Sequence, residues 1–128
     1  MELVALVTIF MCLQLTYFMM NVGGARGKSG VSAPATTGDE IFERHYRVHM
    51  NTIEQLVITL PLLWVAGSYF DAQIAAGLGL VFIVGRFMYA AGYVKEPVKR
   101  GAGMGIGSLA TLGLLGCSLW GVISGMLA

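Results

Sequence analysis

Charge is scarce in this chain: Asp, Glu, Lys and Arg make up 12% of its 128 residues, and the formal net charge is +1. No basic run is dense enough to neutralise a phosphate backbone, which excludes nucleic acid as a partner. Cysteine is nearly absent too. Cys12 and Cys117 both fall in apolar segments, with no Cys-x-x-Cys partner and no neighbouring histidine, so neither a disulfide framework nor a metal site is supported. A thiol in such a setting acts as a small buried hydrophobe. The chain therefore offers no nucleophile of its own.

What remains is overwhelmingly apolar. Hydrophobic residues make up 56% of the sequence and mean hydropathy is +0.74, values too high for a soluble domain of this length. About 20 apolar residues are needed to cross the roughly 30 Å hydrocarbon layer, so the chain has room for four or five spans with short loops. The expectation is one all-α domain, an integral membrane four-helix bundle of up-down topology with spans near 2–22, 41–68, 73–94 and 103–127. The first run lacks a basic leading region and exceeds a typical signal core, so it reads as a retained span. Gln14, Tyr17 and Asn21 recur along it as a polar edge suited to hydrogen bonds between helices.

Gly23 to Asp39 breaks all periodicity with glycine, serine, proline and threonine and reads as a loop carrying Arg26 and Lys28. The second span then starts near Asp39 or Glu40, acids suited to a helix N-terminus, and contains Pro61, which should bend it. Its first half carries the chain's most informative stretch, FERHYRVHMNTIEQ. At 3.6 residues per turn Arg44, Arg47, Asn51 and Glu54 line one face. A carboxylate near a span centre costs about 2.5 to 3.5 kcal/mol, so Glu54 should face protein or a water-filled cleft. The third span repeats the pattern with Arg86, Tyr89 and Tyr93 at the same membrane end, because a tight turn around Phe70, Asp71 and Ala72 makes the two spans antiparallel. Arg86 is a candidate buried partner for Glu54, and Tyr93 also suits an interfacial anchor. A charged loop, Lys95 to Arg100, follows. The fourth span has no charge, and its Gly103, Gly107, Gly121 and Gly125 suit close helix packing, since no strand precedes them to make a dinucleotide loop. Basic residues concentrate in the first and third loops, which places both on the cytoplasmic side and both termini opposite.

FERHYRVHMNTIEQ, followed by GRFMYAAGYVKEPVKR and preceded by APATTG, resembles the MAPEG family, the small four-helix membrane proteins that include microsomal glutathione transferases and leukotriene C synthase. The resemblance covers most of the chain, and the order and spacing of its motifs are specific. It implies a homotrimer that binds glutathione as co-substrate between neighbouring subunits near the cytoplasmic side, and takes lipophilic or lipid electrophiles from the bilayer. By position, Arg47, Asn51, Glu54, Tyr89 and Tyr93 match the family's glutathione contacts from one subunit. Arg26 and His49 match those lent by its neighbour, and Arg100 matches an arginine near the thiol. The mixture suits the ligand, whose two carboxylates and one ammonium call for arginines and one acid. Three positions depart from the pattern: Gly27 where the synthases carry an arginine, Gln55 where tyrosine is common, and His49 in place of glutamine. Thiolate activation then falls to Arg100, Arg26, Lys28 or a different mechanism. A detoxifying glutathione transferase with glutathione peroxidase activity toward lipid hydroperoxides is the leading expectation. A non-catalytic lipid-binding or scaffold protein of the same family is the alternative, favoured by Gly27, and a proton pathway on Glu54 and Arg86 has no continuation across the membrane.

Overall fold

The computed structural model describes all 128 residues. Four long helices follow one another, α1 (Glu2–Ser29), α2 (Glu40–Tyr69), α3 (Ala72–Lys95) and α4 (Gly101–Leu127), with one 3-10 turn at Pro97–Arg100. Local chemistry sets their ends. Asp39 caps α2 by accepting from Phe42 N at 2.9 Å, and Asp71 caps α3 by accepting from Ile74 N at 2.9 Å. These bonds satisfy N–H groups that have no intrahelical partner.

The stretch after Val22 departs from expectation. Residues 23–29, read as loop, continue α1 for two more turns. Gly23, Gly24 and Gly27 face open space, so no neighbour forces the chain off course there. A helical glycine costs only about 1 kcal/mol relative to alanine, and Arg26 and Lys28 lie in the last turn, where cations offset the helix dipole. The helix stops at Gly30, whose φ of 76° makes it a left-handed cap and whose N–H reaches Arg26 O at 2.9 Å. The charged third loop likewise shortens to Glu96 and the 3-10 turn.

α2 and α3 form the central pair, with α1 on one side and α4 on the other. The bundle runs up-down-up-down: Met1 lies beside Gly67 near the α2–α3 turn, while Arg26 at the other end of α1 lies over Phe42 at the start of α2. The main part of the core is an apolar seam that includes Val4, Val7, Met11, Leu56, Leu63, Phe82 and Leu114, with smaller clusters around Phe18 and Phe42. Polar bonds cross the seam. Gln14 Nε2 donates to Ile83 O at 2.9 Å, the Thr59 and Thr111 hydroxyls meet at 2.9 Å, and Ser118 donates to Leu62 O at 3.1 Å. Tyr17 and Asn21, expected to share this bonding role with Gln14, take no part in it.

α3 and α4 approach most closely through glycine. A Cβ at Gly85 would come within 2.6 Å of Gly107 N and one at Gly103 would overlap Tyr89 N, while one at Gly121 would overlap Tyr69 O at the end of α2. Gly125, expected to pack in the same way, faces open space. Outside the seam all four helices expose apolar side chains, among them Leu13, Val57, Val84, Leu112 and Trp120. α1, α3 and α4 are long and apolar enough to cross a membrane, and hydrocarbon is the solvent that such a surface requires. Cys12, expected to be buried, faces outward, while Cys117 is half-buried.

Candidate functional site

The polar faces of α2 and α3 meet at the end of the bundle where the first and third loops lie. Arg86 is their centre. It is 1% exposed, and its Nη2 donates to Asn51 Oδ1 at 2.7 Å and to Thr52 Oγ1 at 3.0 Å. The guanidinium also lies over the Tyr89 ring, 4.1 Å from its centroid, and Tyr89 stacks on Tyr93 with centroids 5.6 Å apart. Pairing of Arg86 with Glu54 is therefore corrected: Glu54 Oε1 is held by Arg47 Nη2 at 3.1 Å and approached by Asn51 Nδ2 at 3.5 Å. Two neutral oxygens hold the buried guanidinium through Nη2, and its Nε is left without a partner. Thr52, absent from the sequence-derived set, supplies one of these oxygens, and its place beside Asn51 on the face toward α3 was the available signal.

Arg47 and Glu54 form the accessible part, with side chains 48% and 56% exposed. Arg47 and Tyr93 line a polar cleft of about 570 Å³ together with Thr36, Glu43 and Tyr46. Arg44, grouped with them by helix periodicity, has a different task. Its Nη1 donates to Val94 O at 3.1 Å and Lys95 O at 3.0 Å and its Nη2 pairs with Glu40, so it caps the C-terminal carbonyls of α3. That clamp fixes the height of Tyr89 and Tyr93 against α2.

The remaining residues fall elsewhere. His49 lies two residues from both Arg47 and Asn51, which at about 100° per residue turns it roughly 160° away from each. Phe42, two turns before His49, shares its side of α2. There Arg26 sits over the Phe42 ring at 4.6 Å and donates to Ala35 O at 2.7 Å. Within one chain, then, Arg47, Asn51, Glu54, Tyr89 and Tyr93 come together, while Arg26 and His49 gather on the opposite flank of α2. Arg100 bonds to neither group: its exposed side chain folds back onto its own 3-10 turn, with Nη1 donating to Pro97 O at 3.0 Å. Beyond Glu54, an apolar cavity of about 550 Å³ opens between α2 and α4, lined by Gln55, Ile58, Pro61, Thr111 and Leu112.

A half-exposed arginine, a carboxylate and an oriented amide can hold a small ligand that bears both signs of charge, and the apolar cavity one turn further on can take a lipophilic one. Fold and site together define a helical membrane protein with a charged, accessible cleft near the edge of its apolar surface. The sequence profile of the MAPEG family matches residues 4–120. The chain is 44% identical over 116 residues to microsomal glutathione S-transferase 2 of Homo sapiens, covering 89% of this chain and 79% of that one. It is 40% identical over 121 residues to leukotriene C4 synthase of Cavia porcellus, covering 88% and 81%. An uncharacterized protein of Synechocystis sp. is 47% identical over 108 residues, covering 84% and 79%. The chain belongs to the MAPEG family and is an integral membrane protein.

Proposed function

We propose that this protein is a membrane-bound glutathione transferase that conjugates the glutathione thiolate to lipophilic electrophiles and also reduces lipid hydroperoxides. The observation that carries it is the Arg47–Glu54 pair, set on an accessible face beside an Asn51 held in place by a fully buried arginine. Glutathione brings the nucleophile that the chain lacks. Arg47 would take a carboxylate of the tripeptide, Glu54 its ammonium, Asn51 a backbone group, and the phenols of Tyr89 and Tyr93 its polar flank.

The site needs a second copy. Arg26 and His49, on the far flank of α2, reach a ligand in the Arg47 cleft only from a neighbouring subunit, and a closed ring of three provides each site with both flanks. The thiol has to lose its proton, because at a pKa of about 8.5 only a few per cent is thiolate at pH 7. Arg100 is the cation for this role once its side chain leaves Pro97 O. In transfer, the thiolate sulfur forms a bond to the electrophilic carbon as the leaving group departs. In the peroxidase reaction, two glutathiones supply two electrons to the O–O bond, giving the disulfide, an alcohol and water. The cavity between α2 and α4 would present the electrophile from the bilayer. All the chain's arginines and lysines lie at this end of the bundle, so the positive-inside tendency orients the site to the cytoplasm and both termini away from it.

Purified protein in detergent, assayed with glutathione and a generic aryl halide and separately with a fatty-acid hydroperoxide, tests the proposal, with native mass measured alongside. Turnover of both by a trimer is the expected result. A stable monomer that binds a lipophilic ligand but turns over neither would favour the non-catalytic alternative.

A further inference from the structure

A second cleft lies on the side of the bundle away from the Arg47 cleft, between α1, α2 and α3. It encloses about 420 Å³, and its floor is apolar, built from Phe18, Val48, Phe87, Ala90 and Val94. The aromatic rings there interlock edge to face, Phe18 and Phe87 at 5.8 Å and Tyr17 and Phe87 at 6.3 Å between centroids. Towards the loops its lining turns polar, with Asn21, His45 and Lys95. An outer cavity of about 600 Å³ shares Tyr17, Asn21 and His45 with it and extends to Lys28, so the two form one groove with a lysine in each part. His45 lies two residues from Arg47, roughly 160° around α2, which separates this groove from the Arg47 cleft of the same chain. Lys28, His45 and Lys95 take part in none of the chain's ion pairs. The one carboxylate in the outer cavity, Asp39, is engaged by the Phe42 N–H as the α2 cap.

We propose that this groove binds one anionic phospholipid, with an acyl chain along the aromatic floor and the phosphate between Lys95 and Lys28, beside His45 and Asn21. Charge complementarity selects the occupant. A neutral lipid would leave two lysines without a counter-charge, a zwitterionic headgroup brings an ammonium that they repel, and a polar solute would leave the floor uncovered. Basic pockets between helix ends at a membrane surface hold anionic headgroups in this manner.

The test is native mass spectrometry of the full chain reconstituted with phosphatidylglycerol or phosphatidylcholine, with thermal unfolding as a check on folding. One phosphatidylglycerol retained per chain, in preference to phosphatidylcholine, is expected. Lys28→Gln and Lys95→Gln should each lower that retention about fivefold, the factor for one lysine near a headgroup. Ala90→Leu, which fills the floor and leaves the charges intact, should lower it too, and added inorganic phosphate should not displace the lipid. Equal retention of the two lipids, or lysine variants that behave as wild type, would overturn the proposal. So would release by inorganic phosphate, or no retained lipid in any form, as when a second copy of the chain covers the groove.

Discussion

Replacing Arg86 by methionine keeps the long unbranched stem and deletes the guanidinium, which separates two roles that the structure assigns to one side chain. The buried charge donates to Asn51 Oδ1 and Thr52 Oγ1, and hydrogen bonds from a charged donor contribute about 1.5 to 3 kcal/mol each. Burying the charge has its own desolvation cost, and swapping a buried ion for a hydrophobe of similar volume is often close to neutral. Thr52 also keeps its bond to Val48 O at 2.7 Å. Stability should therefore move by no more than about 2 kcal/mol. Asn51 behaves differently, because its amide loses the only donor that fixes its orientation. Glutathione affinity should fall about tenfold in Arg86→Met, which corresponds to about 1.4 kcal/mol. The assay is a double-mutant cycle with Asn51→Ala, read by calorimetric titration with glutathione and by thermal unfolding in detergent. Arg86→Met should have little further effect on affinity once Asn51 is gone. Fully additive losses would refute the claim that Arg86 acts on the ligand through Asn51.

Other substitutions probe different parts of the account. Arg47→Ala and Glu54→Gln should each weaken glutathione binding by about 2 to 5 kcal/mol, the usual cost of removing one partner of a charged contact that the bound ligand buries. The same changes should lower stability by less than about 1 kcal/mol, since the pair is half-exposed; titration and melting measured on the same samples separate the two effects. Arg100→Ala should depress turnover more than affinity and raise the pH at which activity is half-maximal, because the reactive thiolate loses its cation and the thiol pKa returns toward about 8.5. Arg100→Lys should recover part of that shift, as a point charge suffices for a sulfur anion. Gly103→Ala should destabilise the bundle by at least about 1 to 3 kcal/mol, the overpacking range, because its Cβ has no room beside the Tyr89 backbone; the melting temperature in detergent reads this directly.

The sequence carried the helices and one flank of the site, for identifiable reasons. Asp39 and Asp71 announce helix starts through their own capping chemistry, and Arg47, Asn51 and Glu54 share a face because helix periodicity alone puts them there. Arg44 obeys the same periodicity and yet caps α3, since which turn of α2 meets the end of α3 depends on the register between helices and not on either helix alone. The same register decides that Arg86 meets Asn51 and Thr52 and leaves Glu54 to Arg47. Gly23, Gly24 and Gly27 resembled a loop because glycine is a poor helix former in water, whereas here the helix continues past them to Gly30. Gly85 was hidden within an apolar run, and only the approach of Gly107 gives it a purpose. Arg100 is placed by the 3-10 turn, whose local bond to Pro97 O leaves no trace in the spacing of charges.

The most direct measurement is an ultraviolet titration of the purified protein with glutathione, following thiolate absorbance at neutral pH. Saturable thiolate signal that disappears in Arg47→Ala, and persists at reduced amplitude in Arg100→Ala, is the result the account predicts. Glutathione that fails to bind the wild-type protein, or binds with its thiol still protonated, would contradict it.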